Sequence, residues 1–469
     1  MKALIRISSD IVTKAPRTRS RFTRRLVENL RAGLQREAVP ARVHRDHVRI
    51  YLEADDARAF EIARRVFGVH SLSPCIEEPY AGLDTLLARG EALFRDEVRG
   101  RGFAVRAKVR GVAGLGSQAV NEQLGERLME YGRVDLTAPE VTAQVEVRGG
   151  KVRFFTSRMM GPGGLPVGVE GRAVVLLSGG FDSAVAAWMM LRRGVGLDYV
   201  FCRLGGVRHE RAVLKIANTL SRLWSAGSPS RLYVLPFEAV AELIVARVPE
   251  ALRQLVLKRV MYAVGEALAQ RVRAHAVITG EALGQVSSQT LRNLRALGSP
   301  RRVGMLRPLV GFNKEEIIAR SREIGTHDLC AGVPEYCALV PRKPATGAGR
   351  SQVDEATALV PFDATEAARM AVRHDLPAPL PADDVEGEVE VIPPDALVID
   401  IRAEALRRAA PFEGALEIDP SAARADFETL DPDRSYVVVC EHGLRSAWLA
   451  RHLRRLGFDA VNLRQGMGG

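Results

Sequence analysis

The hexapeptide Ser178-Gly179-Gly180-Phe181-Asp182-Ser183 lies between an apolar run, Ala173–Leu177, and a helix-forming stretch, Ala184–Arg193. A strand feeding a glycine-rich turn at a helix N-terminus makes an anion site. The glycines let the backbone approach a phosphate, the amides point at its oxygens, and the helix dipole favours negative charge. Ser178 and Ser183 add hydroxyl donors. The G-x-x-x-x-G-K-[ST] pattern is absent, and without its lysine on the β/γ-phosphates, γ-phosphoryl transfer is disfavoured. Taken alone, the segment also fits an ordinary strand-to-helix turn.

A second chemistry centres on cysteine. Cys440 ends the strand-like run Tyr436–Val439 and is followed by Glu441-His442-Gly443-Leu444-Arg445 and a helical stretch, Ser446–Leu456. Amides and a helix dipole aimed at the sulfur stabilise a thiolate or a persulfide, and Arg445 adds positive charge. Cys337 sits in the Pro-flanked loop Pro334-Glu335-Tyr336-Cys337-Ala338-Leu339-Val340-Pro341, where on its own it reads as a spare thiol. Cys75 and Cys202 read as core residues. Cys330 and Cys337 lack a second close Cys/His pair, and none of the nine histidines has metal-like spacing, so no metal-ligand set is expected.

Ser178–Ser183 resembles the SGGxDS loop of the PP-loop ATPases, which adenylate a carbonyl oxygen and release pyrophosphate. Downstream lie Thr279-Gly280-Glu281-Ala282-Leu283-Gly284-Gln285-Val286-Ser287-Ser288-Gln289-Thr290 and Arg307-Pro308-Leu309-Val310-Gly311-Phe312-Asn313-Lys314-Glu315-Glu316-Ile317. With these the chain resembles the tRNA 4-thiouridine synthetase (tRNA uracil 4-sulfurtransferase, ThiI) family over nearly its whole length. The Cys440 loop, with Leu397-Val398-Ile399-Asp400-Ile401-Arg402 upstream, resembles the active-site loop of rhodaneses.

The resemblance implies a multidomain α+β and α/β chain. Its parts would be a ferredoxin-like N-terminal domain (1–75), a THUMP domain (76–168), a Rossmann-like PP-loop ATPase domain with a parallel sheet (169–345), an acidic, Pro-rich linker (346–390) and an α/β rhodanese domain (391–469). It places ATP on Leu176, Leu177, Ser178, Gly179, Gly180, Asp182, Ser183, Lys258, Gly280 and Gln289. Asp182 and Lys314 match essential positions of the family. Lys314 would neutralise charge on departing pyrophosphate and Asp182 would help hold Mg2+, although either side chain alone also fits a surface ion pair. Cys337 matches the family's second cysteine, which forms a transient disulfide with the rhodanese Cys440. The implied partners are tRNA, a cysteine desulfurase as persulfide donor, a cellular thiol reductant and a sulfur-carrier protein of thiamine synthesis. Sulfur transfer for thiamine alone, a different PP-loop tRNA thiolase and a non-catalytic RNA-binding protein remain alternatives.

These groups need elements to hold them. The 469 residues are enough for three or four domains at about 150 residues each. Residues 1–75 and 80–165 read as two small α+β units. The short continuous apolar runs Ala173–Leu177, Tyr199–Cys202, Leu232–Leu235 and Val277–Thr279, separated by helices, suit strands buried on both faces of a parallel sheet. The linker is expected to carry one helix, Asp363–Arg373, and to let Cys440 swing to the nucleotide site and back.

The composition is that of globular protein, with 47% hydrophobic and 26% charged residues. No apolar stretch is long enough to span a bilayer, so no membrane association and a cytoplasmic location are expected. The net charge of +11 is unevenly placed: residues 1–65 hold 16 Lys/Arg against 8 Asp/Glu, and residues 351–395 hold 2 against 11. Arg17, Arg19, Arg21, Arg24 and Arg25 lead into a helix repeating Phe22, Leu26, Leu30 and Leu34. Such arginines supply sequence-independent affinity for phosphates, or simply a solvated face. The alternation Phe103–Val109 points Arg106 and Lys108 outward. By resemblance, the basic helix and Arg106, Lys108 and Arg110 of the THUMP domain would meet tRNA. Ser8-Ser9-Asp10 stands where many relatives have a Gly-Glu pair.

Overall fold

The computed structural model describes residues 1–45, 49–155, 157–298, 302–333, 343–380, 387–402, 404–417, 430–440 and 444–463. The chain forms two units, Met1–Val169 with Arg192–Gly194, and Glu170–Leu191 with Val195–Gly469. Among the described residues no helix is long and apolar enough to cross a membrane.

In the first unit nine strands form one sheet. The ferredoxin-like part contributes Ala41–Arg45, Ile50–Ala54, Lys2–Ile7 and Val69–Pro79, and the sheet continues through Lys151–Phe155, Val141–Arg148 and Gly102–Arg110. The expected boundary after residue 75 falls inside Val69–Pro79. That strand pairs Lys2–Ile7 on one side and Lys151–Phe155 on the other, so the two expected domains share a sheet. The basic helix runs Pro16–Arg36, beginning six residues before Phe22, the first residue of its apolar repeat. Proline is tolerated in the first turn, where its missing N–H has no intrahelical partner. Phe22, Leu26, Leu30 and Leu34 are all buried.

The second unit holds a six-stranded sheet in the order Gly304–Leu306, Ala276–Ile278, Arg172–Leu176, Gly196–Arg203, Arg231–Pro236, Val372–Asp375. The first five are parallel. Their apolar runs are buried as expected, with Ala173, Val174 and Val175 at 1% exposure or less. The sixth corrects the linker expectation. Residues 350–375 form the helices Arg350–Ala358 and Ala364–Met370 and the strand Val372–Asp375, which pairs antiparallel with Arg231–Pro236. Val353, Ala356, Val360, Ala368 and Ala371 are buried. A Pro-, Ala- and acid-rich composition concealed these small apolar contacts. The expected helix Asp363–Arg373 is capped by Asp363, whose carboxylate accepts from the Thr365 and Glu366 amides, and gives way to strand after Met370.

The same unit carries a five-stranded parallel sheet in the order Glu388–Val389, Asp459–Leu463, Ser435–Val439, Leu397–Asp400, Leu416–Glu417. Its helix Leu444–Arg455 buries Leu449, Ala450 and Leu453 against Ile399, Tyr436 and Val438.

Candidate functional site

The glycine-rich loop forms as the sequence indicates. Strand Arg172–Leu176 runs through Leu177–Gly180 into helix Phe181–Arg192. Gly179 has φ +93°, and a Cβ there would lie 2.9 Å from Val333 and 3.0 Å from Val213. Glycine is therefore required twice over. Ser183 is buried and closes the loop: its Oγ accepts from the Ser178 amide (3.2 Å) and donates to the Gly180 carbonyl (3.1 Å). Ser178 Oγ accepts from the Gly180 amide.

Asp182 sits in the first turn of the loop helix. Its Oδ1 accepts from Lys314 Nζ at 3.1 Å and its Oδ2 from Gln285 Nε2 at 2.8 Å. Lys314 opens helix Lys314–Glu323, which a reciprocal Asn313–Glu316 capping box holds. That cap fixes the lysine's origin, and its ammonium lies 5.5 Å from the Phe181 ring centroid. A cleft of about 360 Å³ opens here. Ser178, Gly180, Asp182 and Lys314 give it polar walls; Leu176, Leu177, Val200, Phe201, Leu204 and Met261 give it apolar ones. Its size and lining suit one small ligand with an anionic part and a flat apolar part.

Several lining residues had no sequence signal. His209 is buried, lines the cleft and places Nε2 3.3 Å from the Ser178 carbonyl. Burial pushes its imidazole down to about 4, so it stays neutral near pH 7 and Nε2–H donates to that carbonyl. Cys202 and Cys330 also line the cleft, and burial pushes the Cys330 thiol up to about 11.

Five residues expected at the nucleotide, Gly179, Ser183, Lys258, Gly280 and Gln289, are not among those lining the cleft, and the first two belong to the loop itself. Lys258 pairs with the buried Glu281 at 3.1 Å. Glu281 also accepts from Tyr262 (2.5 Å), Thr279 (3.0 Å) and Arg307 (2.8 Å). Burial alone would raise its carboxyl, but Lys258, Tyr262 and Arg307 outweigh this and hold it below the usual range. Gln289 Oε1 accepts from the Ala282 amide. Gly280 passes so close to the loop helix that a Cβ would lie 2.6 Å from the Asp182 carbonyl carbon and the Ser183 nitrogen.

Cys440 is at the end of strand Ser435–Val439 and buried. Its Sγ accepts from the Ser446 amide at 3.4 Å and lies 3.3 Å from Ser446 Oγ. The neighbouring strand delivers Asp400, which binds Arg402 through both carboxylate oxygens inside the core. Cys337, the loop Glu441–Gly443 and the Arg445 side chain lie outside the described residues.

On the first unit, Arg17, Arg19, Arg21 and Arg24 are exposed along helix Pro16–Arg36, whereas half-buried Arg25 donates to the Val167 carbonyl and pairs with Glu28. Arg106, Lys108 and Arg110 alternate outward from strand Gly102–Arg110. Arg106 and Lys108 line a cleft of about 520 Å³ with Arg6, Arg49 and Arg158, which sequence reasoning missed. Arg106 and Lys108 share strand Gly102–Arg110, Arg6 lies on strand Lys2–Ile7, and Arg49 and Arg158 immediately precede the strands Ile50–Ala54 and Met159–Met160. Burial, with Arg158 and Arg49 nearby, lowers the pKa of Arg6, while Glu146, which lines the same cleft and pairs with Arg49, opposes the shift.

Comparison with known proteins bears on both sites. Residues 168–362 match the family model described as thiamine biosynthesis protein (ThiI), residues 2–73 the ThiI ferredoxin-like domain and residues 80–156 the THUMP domain. The tRNA sulfurtransferase of Desulfurococcus amylolyticus is 37% identical, covering 99% of this chain and 97% of its own. The chain belongs to the tRNA sulfurtransferase (ThiI) family. The tRNA sulfurtransferase of Pyrobaculum aerophilum, another member, is 35% identical with the same coverage. The crystal structure of a 4-thiouridine synthetase–RNA complex with bound ATP matches 80% of this chain and 99% of that one, with TM-score 0.70 and 28% identity.

Proposed function

We propose that the chain is an ATP-dependent sulfurtransferase that converts a uridine of tRNA, position 8 by family resemblance, to 4-thiouridine. The observation that carries the reading is the Ser178–Ser183 loop at a helix N-terminus with Lys314 held beside it on Asp182. Loop amides and Lys314 bind the phosphates, and the apolar wall of the cleft takes the base. Uridine O4 attacks the α-phosphorus and pyrophosphate leaves, its charge met by Lys314 and the helix dipole. Asp182 offers one carboxylate toward the phosphates, which suits Mg2+ entering with the nucleotide and keeping its waters. The metal would supply charge neutralisation there.

Residues 391–469 act as the sulfur carrier of rhodanese type. A cysteine desulfurase loads Cys440 as a persulfide, which the Ser446 amide and hydroxyl stabilise. The terminal sulfur attacks C4, the C4–O bond breaks and AMP leaves. The product is joined to Cys440 through a disulfide. The Cys337 thiolate then attacks Cys440 Sγ, freeing 4-thiouridine and leaving a Cys337–Cys440 disulfide, which a cellular thiol reductant resets. The basic cleft and the Pro16–Arg36 helix hold tRNA phosphates, shape supplying the choice of target. The reaction belongs in the cytoplasm, where tRNA and reductant are available.

Incubation of tRNA with the protein, ATP and a sulfur donor, followed by nucleoside mass spectrometry, tests the proposal. 4-Thiouridine is expected, and Cys440→Ser should give none. A Cys440→Ser protein that still thiolates tRNA refutes the mechanism; a 2-thiouridine product refutes the target. Asp182→Ala should abolish thiolation, and a sulfur-carrier role in thiamine synthesis would survive it.

A further inference from the structure

The helix that follows Cys440 carries side chains that pair with the nucleotide domain. Arg451, His452 and Arg455 all face carboxylates on helix Glu238–Arg247 of the nucleotide domain. Arg451 Nη1 lies 3.4 Å from Glu238 Oε1, Arg455 Nη1 2.7 Å from Glu242 Oε1, and His452 Nδ1 3.7 Å from the same Glu242 oxygen. Glu238 is nearly buried and also holds Arg203 at 3.1 Å; Arg203 in turn holds Glu210 at 2.8 Å. Arg203 ends the strand whose Phe201 and Cys202 line the nucleotide cleft, and Glu210 follows His209, which lines it too. Gly206, with φ +68°, opens the helix between them, and a Cβ there would strike the Arg451 guanidinium.

The tether agrees with this seat. Ala378 is held by Asn218 through both its amide and its carbonyl, and Gly387 follows nine residues later. Such a segment spans at most about 30 Å. The carrier therefore works close to the nucleotide domain.

We propose that the Arg451–Arg455 face of helix Leu444–Arg455 is the docking surface by which the sulfur carrier engages the Glu238–Glu242 edge of the nucleotide domain during transfer. The inference rests on Cys440 being the sulfur carrier. Buried Glu238, shared between Arg203 and Arg451, links the seat to the cleft wall. The more exposed Glu242–Arg455 pair adjusts its strength.

Charge reversal of the exposed pair tests the seat in the full-length protein. Glu242→Arg and Arg455→Glu should each slow single-turnover transfer from persulfidated Cys440 to tRNA several-fold. Combining them should restore most of the rate. ATP affinity and persulfide loading should remain unchanged in all three. Amide hydrogen exchange supplies a readout independent of activity: protection across Gly206–Glu210 should fall in the single variants and recover in the double. Singles that match the unaltered protein in both rate and exchange, or a double no better than either single, overturn the docking surface. An unaltered protein that makes no 4-thiouridine refutes the function itself, while the exchange results still decide whether the surface is engaged.

Discussion

Gly280→Ala isolates the framework behind the phosphate loop. Its Cβ would lie 2.6 Å from both the Asp182 carbonyl carbon and the Ser183 nitrogen, whereas ordinary contact begins at 3.4 Å. Both are backbone atoms, so no side-chain rotation relieves the clash. Strand and loop helix must separate by about 0.8 Å. The Asp182–Lys314 contact, now 3.1 Å, cannot absorb such a shift and stay within hydrogen-bond range. Inserting a methyl into such a site costs about 1–3 kcal/mol. If the cost falls on the phosphate-binding geometry, ATP affinity should drop roughly 5- to 150-fold. Gly311→Ala is the control, since a Cβ there meets nothing within 4 Å and should change stability by less than about 0.5 kcal/mol. Calorimetric titration with ATP reads the first effect. Urea unfolding followed by tryptophan fluorescence reads the second, because Trp188 and Trp224 pack edge-to-face in the nucleotide unit. A Gly280→Ala protein with the ATP affinity and unfolding midpoint of Gly311→Ala refutes the steric argument.

Three further outcomes are expected. Lys314→Ala removes the ammonium beside Asp182 and should lower the rate of tRNA-dependent pyrophosphate release by at least tenfold, more than it weakens ATP binding; an equal loss in both would place Lys314 in ground-state binding alone. The His209 imidazole, lowered to about 4 by burial, refuses a proton that the unfolded chain accepts near 6.5. Stability should thus fall as pH drops from about 6.5 to 4, by up to about 3 kcal/mol, and a His209→Phe protein measured by urea unfolding should lack that slope. Alanine at Arg106 or Lys108 should weaken tRNA binding and reduce the steepness of its salt dependence by about one each, as read by filter binding across a salt series.

The phosphate loop was legible because it is local, a strand, a turn and a helix start written in consecutive residues, and so was the placing of Cys440 at a strand end shortly before a helix. Lys314 was legible only through its motif, since no pattern within the chain says that residues 132 positions apart meet. Lys258 carries the opposite lesson. Its expected place at the nucleotide came from resemblance, while its ammonium pairs with Glu281, whose buried carboxylate gathers four donors: Lys258 and Tyr262 from one helix, Thr279 two residues away, and Arg307. Arg6, Arg49 and Arg158 are scattered in sequence and converge only when the sheet forms. The segment after residue 346 misled because composition reports solubility, and five small or branched apolar side chains among many acids suffice to fasten a helix pair.

The strand Val372–Asp375 has a bearing on how this protein can be cut. It covers the edge of Arg231–Pro236, hydrogen-bonding a row of amides and carbonyls that would otherwise be open to strangers. A fragment ending at residue 362, where the family match stops, would lose that cover and present a bare parallel-sheet edge. A ribosome, likewise, cannot finish the nucleotide sheet until it has read past Asp375. A half-molecule that keeps this edge covered should be designed to run at least to Ala378, whose amide and carbonyl both bond Asn218.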